Sequence, residues 1–119
     1  MNVVDSSAWL EYFAGTSRAK PFAAPIEDTK RLLVSVITIY EVFKKVLRER
    51  DETAALRVAA QMRQGQVVEV DTKLCLAAAR WNLPLADSLI YATARQHQAI
   101  LWTQDAHFDG LEHVKYFVQ

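Results

Sequence analysis

Four acidic side chains stand at points of the chain where short apolar runs end or helical patterns begin. Asp5 directly follows one apolar run, and Asp105 closely follows another near the C-terminus. Glu41 and Asp87 fall in the first turns of two segments with apolar residues at helical spacing. Because functional residues of open α/β sheets gather beyond the carboxyl ends of the strands, these four carboxylates can converge on one pocket.

Four carboxylates that share a small pocket repel one another too strongly to remain free anions. They must be protonated or neutralised by a cation. Carboxylate oxygens with open water positions suit Mg²⁺ or Mn²⁺. Such ions support in-line attack of water on a phosphodiester, because they lower the pKa of the attacking water and neutralise charge on the leaving oxygen.

Each acid taken alone also has an ordinary structural interpretation. Asp5 and Asp105 suit the cap positions of the turns that follow them, and Asp87 suits the positive end of its helix. Glu41 can pair with cations further along the same side of its helix. A shared site is therefore inferred only from the joint occurrence of all four acids. The cations available to Glu41 are Lys44, Lys45 and Arg48.

The hydrophobic pattern alternates between short apolar runs and helical segments. The predicted strands are Asn2–Val4, Arg31–Val36, Gln66–Val70, Ile100–Thr103 and Val114–Val118. The predicted helices are Ala8–Phe13, Ile37–Arg50, Glu52–Arg63, Thr72–Trp81 and Ala86–His97, with a short helix and a loop in residues 18–30. This alternation predicts an α/β fold with a central, mostly parallel sheet of four to five strands that helices flank on both faces.

The composition indicates one globular domain over residues 1–119. The chain is 51% hydrophobic, and 119 residues leave no room for a second core. Its 14 basic and 14 acidic side chains give a net charge of zero. The chain is therefore not a generic polyanion binder, and contact with nucleic acid requires a local basic patch. The candidate patch is Lys44, Lys45, Arg48 and Arg50.

Sequence features favour a cytoplasmic protein. Asp5 interrupts the N-terminal apolar stretch, so no signal peptide is expected. No apolar run is long enough to cross a membrane. The lone Cys75 excludes an intrachain disulfide and, between apolar neighbours, is predicted to be a buried small side chain.

Four segments carry a family resemblance, in order and at fitting distances. They are residues 3–7 (VVDSS), residues 38–42 (TIYEV), residues 83–94 (LPLADSLIYATA) and residues 101–108 (LWTQDAHF). Each contains one of the four acids. Together the segments resemble the motifs of the PIN domain and, within that family, those of the VapC-like toxins.

The resemblance implies a PIN-like three-layer sandwich and an endoribonuclease that uses Mg²⁺ or Mn²⁺. It implies that Asp5, Asp87 and Asp105 carry the metal, and that Glu41 binds a second ion or orients the attacking water. Three further residues have implied supporting roles, two as hydroxyl donors and one as a peripheral acid. These are Ser6, Thr103 and Asp109.

The resemblance also implies partners: an RNA substrate, a cognate antitoxin and a second copy of the chain in a homodimer. Trp9, Tyr12 and Phe13 form an aromatic stripe that is predicted to lie partly in the core, because three large rings so close together cannot all face inward. The histidines match no family motif and are predicted to lie at the surface or at helix ends. They are His97, His107 and His113.

Other interpretations of the acids remain open. A receiver-like signalling domain needs an acidic pair near the first strand and a lysine after the last, whereas Asp5 has no acidic neighbour and Lys115 lies within the last strand. A phosphatase of the Asp-x-Asp type needs a second acid where Ser7 stands. A PIN domain that processes RNA without an antitoxin is hardly distinguishable from a toxin by sequence.

Overall fold

Five strands form one sheet at the centre of the molecule. The computed structural model describes residues 1–119. Every neighbouring pair of strands is parallel, and the order across the sheet is β3-β2-β1-β4-β5. The predicted α/β class is confirmed, and the sheet is parallel throughout. The strands are β1 (Asn2–Val4), β2 (Leu32–Ser35), β3 (Gln66–Val68), β4 (Ile100–Thr103) and β5 (Val114–Tyr116).

Six helices and three short 3₁₀ turns connect the strands. The helices are α1 (Ser6–Ala14), α2 (Lys20–Glu27), α3 (Val36–Glu49), α4 (Glu52–Met62), α5 (Thr72–Ala78) and α6 (Leu85–Gln96). The 3₁₀ turns are Ser17–Ala19, Thr29–Arg31 and Ala106–Phe108. None of these helices has the length and apolar character that a membrane span requires.

Both faces of the sheet are covered, which explains why its strands are almost continuously apolar. Side chains of successive strand residues point to opposite faces. Val4 and Val34 pack with buried residues of α1, α2, α3 and α4. Val3 and Leu33 pack with buried residues of α6 on the other face. The result is the predicted three-layer arrangement of helices, sheet and helices.

The strand order reverses beside β1. The chain moves outward from β1 through β2 to β3, and then returns to the other side of β1 for β4 and β5. In parallel α/β sheets such a reversal leaves a crevice beyond the carboxyl ends of the two strands that flank it. Here those strands are β1 and β4, and the residues that follow them are Asp5 and Gln104.

Several element boundaries differ from prediction by one to three residues. Helix α1 begins at Ser6 and not at Ala8, because Asp5 already caps it with its side chain. Pro84 adopts φ −53° and ψ 153° at the cap position, and α6 therefore starts at Leu85. Helix α5 ends at Ala78, before the predicted end at Trp81.

The prediction that Cys75 is buried is wrong, since the thiol is exposed. Helix α5 buries Leu74 and Ala78, one turn apart, against α6. Cys75 follows Leu74 by one residue and so points away from that contact.

The aromatic stripe of α1 divides between core and surface, as predicted. Trp9 is 1% exposed, whereas Tyr12 and Phe13 are half-buried at the edge of the same core. The rings of Trp9 and Phe13 stack with their centroids 5.5 Å apart. Phe13 thus presents part of an apolar ring at the surface beside α3.

Candidate metal centre

The sheet places two of the predicted acids at its crevice. Val4 pairs with Trp102 across β1 and β4, and the Asp5 N–H donates to the Trp102 carbonyl at 3.2 Å. Asp105 follows β4 after Gln104. Both aspartates also cap the turns that follow them, since Asp5 accepts from the Ala8 N–H and Asp105 from an N–H of its 3₁₀ turn. The cap interpretation is therefore confirmed for both aspartates, and capping leaves both carboxylates at the edge of the sheet where a shared site is predicted.

Helices bring the other two acids to the same edge. Helix α3 leaves the carboxyl end of β2 and carries Glu41, whereas α6 starts at this edge with Asp87 in its first turn. One open pocket of about 400 Å³ has all four acids in its wall, together with Ser6. The structure thus brings together the four acids that the sequence singled out: Asp5, Glu41, Asp87 and Asp105.

Asp5 is the most deeply buried of these acids, with 2% of its surface exposed. Burial raises the pKa of its carboxyl to about 7. Hydrogen bonds from Ala8, Thr103 and Ser7 oppose that rise in pKa because they stabilise the anion, and the negative charge of Asp105 adds to it. Without a bound cation, Asp5 therefore holds a proton through much of the acidic and neutral range.

Asp87 lies in a similar but less buried environment. Its pKa is raised first by burial and then by the negative charge of Asp105, with a smaller effect from Glu41. A hydrogen bond with His107 lowers the pKa and so partly offsets these effects. The carboxylates therefore interact electrostatically, as expected for acids that need a cation.

Glu41 is held by a hydroxyl and not by a cation. The Ser6 hydroxyl donates to Oε1 of Glu41 and joins α1 to α3. Glu41 forms no ion pair with the cations of its own helix, and Lys45 instead bonds Glu49 at 3.0 Å. The ion-pair interpretation of Glu41 is therefore wrong, and its carboxylate is free to face the pocket.

The other two supporting residues have different positions. Thr103 is fully buried, and its Oγ1 accepts from the Asp105 N–H at 2.9 Å. The same hydroxyl bonds Asp5, so Thr103 links two of the acids. Asp109 is exposed, ends the 3₁₀ turn and does not line the pocket.

His107 contacts two of the acids although it does not line the pocket, and the sequence analysis did not predict this contact. Its Nδ1 lies 2.9 Å from Oδ2 of Asp87 and 3.2 Å from Oδ1 of Asp105. The charge of Asp105 and the bond with Asp87 raise the pKa of the imidazole. His107 is at the surface, as predicted, but it faces the acids. The sequence feature that could have predicted this contact is the position of His107, two residues after Asp105.

Cations and an aromatic ring form one rim of the pocket. Lys44, Lys45 and Arg48 are exposed on α3 and line the pocket with the acids. Tyr40, one residue before Glu41, is 55% exposed, and Lys44 lies over its ring at 5.5 Å from the centroid. A locally positive, partly aromatic edge thus borders a strongly acidic floor.

Donor atoms beside the Asp87 and Asp105 wall of the pocket fit a divalent cation. Ligand atoms of Asp87, Asp105 and His107 all lie within 4.8 Å of one another. Carboxylate oxygens are the donors that Mg²⁺ and Mn²⁺ prefer. Burial is the main cause of the raised pKa values of Asp5 and Asp87, and a cation at this position would offset the negative charge of Asp105, which raises both further.

A parallel α/β sheet with acids gathered where its strand order reverses defines a class of protein that can hold a cation at that edge. The family model of the PIN domain matches residues 3–114, and the chain belongs to the PIN domain family. Membership of this family argues against the receiver-like and phosphatase interpretations. No curated protein matches the chain.

Solved structures with the same fold include toxins and toxin–antitoxin complexes. A toxin–antitoxin complex from Klebsiella pneumoniae contains a chain with TM-score 0.83 and 21% identity, and the match covers 100% of both chains. VapC20 from Mycobacterium tuberculosis, described as a toxin that cleaves the sarcin-ricin loop, has TM-score 0.78 and 22% identity over 96% of this chain and 97% of its own. A DNA-bound VapBC complex from Salmonella typhimurium has TM-score 0.76 and 13% identity over 98% and 96%.

Proposed function

We propose that this protein is a metal-dependent endoribonuclease and the toxin of a type II toxin–antitoxin pair. The observation that carries the proposal is the meeting of four acids in one pocket, beside a rim of three cations. An acidic floor suits a divalent cation, and a cationic rim suits the phosphates on either side of a scissile bond. Membership of the PIN domain family supports the same chemistry.

Asp5, Asp87 and Asp105 are the residues that we propose as holders of Mg²⁺ or Mn²⁺. When bound, such an ion lowers the pKa of water and neutralises charge that develops on the phosphodiester. Asp5 is protonated below about pH 7 in the metal-free protein, so it must release that proton before it can serve as a ligand.

The remaining polar groups orient the reactants. Glu41, held in place by Ser6, can accept a hydrogen bond from the attacking water or bind a second ion. Thr103 fixes the backbone of Asp105 and the carboxylate of Asp5 relative to each other. These contacts restrict the rotamers of the acids, which matters because small displacements of a catalytic group reduce rate strongly.

Substrate contacts come from the rim. Lys44, Lys45 and Arg48 can neutralise phosphates without reading bases. Tyr40 offers an exposed ring on which an unpaired base can stack. This combination favours a single-stranded or looped RNA segment over a regular duplex.

An apolar groove next to the pocket supports an antitoxin as partner. It has a volume of about 320 Å³ and lies between α1, α3 and α4. Its wall includes Phe13 and Val58, and it shares Leu10 and Lys45 with the acidic pocket. A partner segment in this groove would therefore also reach the acids and block them. Structures of the same fold come from toxin–antitoxin complexes, which supports the same partner.

A second copy of the chain is the other proposed partner. Leu76 on α5 and Leu85 at the start of α6 are 64% and 78% exposed. An interface between two copies of the chain would remove such side chains from water. We therefore retain the homodimer as a prediction, to be measured as the molar mass of wild type and of a Leu76→Asp, Leu85→Asp variant in solution.

The test of the nuclease function is cleavage of a mixed pool of structured RNAs by purified protein with Mg²⁺, with Mn²⁺ or with EDTA. Asp5→Asn and Asp87→Asn remove one charge each from the pocket, and Asp109→Asn is the matched control outside it. Metal-dependent cutting that only the two pocket variants lose supports the proposal. Equal cutting by all four proteins identifies a contaminant and contradicts it.

The toxin role needs a separate test, because a PIN domain that processes RNA without an antitoxin would also show metal-dependent RNA cleavage. Expression of the chain alone is expected to arrest growth, and co-expression with the product of an adjacent small gene is expected to restore it. Harmless expression of a chain that cuts RNA in vitro would favour the processing enzyme.

A further inference from the structure

We propose that the imidazole of His107 is a direct ligand of the divalent cation held by Asp87 and Asp105. This inference deepens the proposed metal centre and rests on it. A nitrogen ligand in an otherwise oxygen-based site would make the protein bind Mn²⁺ in preference to Mg²⁺.

The first argument is position. Nδ1 of His107 lies between the carboxylates, 2.9 Å from Asp87 and 3.2 Å from Asp105. A ligand atom from each of the three residues falls within 4.8 Å of the others. The nitrogen thus stands where it can share one ion with both carboxylates.

The second argument is local rigidity. Asp105 Oδ1 accepts a hydrogen bond from the backbone N–H of His107 at 2.9 Å, so the capping acid fixes the residue that carries the ring. Both residues belong to the same 3₁₀ turn region, which Phe108 anchors in the core at 0% exposure. The imidazole and the Asp105 carboxylate are therefore presented together by one short, anchored segment.

The third argument is that nothing else in the protein engages the ring. The Asp87 and Asp105 side chains are 16% and 28% exposed, whereas that of His107 is 57% exposed and lies on the solvent side of the pair. Nδ1 contacts only the Asp87 and Asp105 carboxylates, and Nε2 has no protein partner. A ligating Nδ1 would leave the ring proton on Nε2, where solvent can solvate it.

The chemical consequence is a change in metal preference. Mg²⁺ favours oxygen ligands and keeps several waters, whereas Mn²⁺ accepts imidazole nitrogen more readily. Removal of outer-shell partners of a metal ligand already costs about 10–100-fold in metal affinity. Loss of a direct nitrogen ligand should therefore weaken Mn²⁺ binding by at least about tenfold and Mg²⁺ binding by less than about threefold.

The experiment measures binding and not catalysis. Dissociation constants for Mn²⁺ and for Mg²⁺ are determined by calorimetry on metal-free wild type and on His107→Gln and His107→Ala. The control is His113→Asn, since His113 is exposed at φ 62°, a conformation that asparagine tolerates, and lies outside the acidic pocket. Electron spin-echo envelope modulation of the Mn²⁺ complex then reports whether nitrogen is coordinated.

We expect nitrogen modulation in wild type and in His113→Asn, its loss in both His107 variants, and a reduced preference for Mn²⁺ over Mg²⁺ in those variants. Mn²⁺ that binds wild type without nitrogen modulation overturns the inference. A metal preference that the His107 variants leave unchanged also overturns it. The variant Asp87→Asn distinguishes a failure of the inference about His107 from a failure of the proposed metal centre. Unaltered Mn²⁺ binding in Asp87→Asn would contradict the metal centre itself.

Discussion

The hydroxyl of Ser6 donates a hydrogen bond to the carboxylate of Glu41 and so connects the first turn of α1 with α3. The bond spans 35 residues of sequence and fixes the acid that has no cationic partner. Since Ser6 itself lines the pocket, the contact lies at the proposed active site. The bond therefore orients Glu41 at the pocket as well as joining the two helices.

We expect Ser6→Ala to lower kcat by about 3–10-fold, since a hydrogen bond to a charged group is worth about 1.5–3 kcal/mol and part of that is recovered by water. Affinity for Mn²⁺ should change little, because Asp5, Asp87 and Asp105 are untouched. Ser6→Thr keeps the hydroxyl and should restore the rate. A threonine variant as slow as the alanine variant would show that the hydroxyl does not act through Glu41.

Asp5 makes the metal-free protein less stable as the pH rises. Its pKa is about 7 in the folded protein and about 3.8 when unfolded. Between these values the folded state holds a proton that the unfolded state has lost, so the free energy of unfolding falls as the pH rises from 4 to 7 and then levels off.

The variant Asp5→Asn removes this titration. At pH 8 in EDTA we expect it to be more stable than wild type by about 2–4 kcal/mol, since one pKa unit corresponds to about 1.4 kcal/mol. The difference should disappear near pH 4. Urea denaturation at pH 4, 6 and 8 measures it, with Asp109→Asn as the control that should follow wild type. If the free energies of unfolding of Asp5→Asn and wild type differ by the same amount at all three pH values, the titration of Asp5 does not control the stability of the protein.

Much of the fold follows from patterns that are local in sequence. The apolar runs at Asn2–Val4 and Ile100–Thr103 have the bounds predicted for them, because a strand buried on both faces leaves a continuous apolar signal. The acids could be found for a similar reason. Asp5 and Asp87 stand at a strand exit and a helix entrance, and parallel topology brings such positions to one edge.

Other features depend on contacts that no local pattern encodes. His107 meets Asp87 across 20 residues, and this depends on how the 3₁₀ turn packs beside α6. Cys75 has apolar neighbours in sequence, yet α5 is short and buries only one narrow stripe against α6. Its exposure is decided by the orientation of that helix, which hydrophobicity alone does not specify.

The cationic rim should control substrate binding and its salt dependence. Lys44→Ala and Arg48→Ala are each expected to raise KM by about 3–10-fold with little change in kcat. Each should also reduce the magnitude of the slope of the logarithm of the binding constant against the logarithm of salt concentration by about one. Lys30→Ala is the matched control, because Lys30 is exposed and lies outside the pocket. Titration of a single-stranded RNA in EDTA at several salt concentrations measures the slope. An equal effect of Lys30→Ala would show that the attraction is not confined to the rim.

Tyr40 is the residue from which we expect a preference for unpaired bases. Its ring is 55% exposed, lines the pocket next to Glu41 and lies under the Lys44 ammonium. An aromatic ring that stacks on a base contributes about 1–3 kcal/mol. Tyr40→Ala should therefore weaken binding of single-stranded RNA by about 5–100-fold.

Tyr40→Phe separates stacking from hydrogen bonding. The phenylalanine keeps the ring but loses the hydroxyl that accepts from Lys44 at 3.3 Å. If the ring stacks on a base, the phenylalanine variant should bind single-stranded RNA within about twofold of wild type, and neither variant should change binding of a fully paired duplex. Binding is measured by anisotropy of a labelled RNA in EDTA, which prevents cleavage. If the phenylalanine variant binds as weakly as the alanine variant, the hydroxyl and its contact with Lys44 determine affinity, and the stacking role of Tyr40 is wrong.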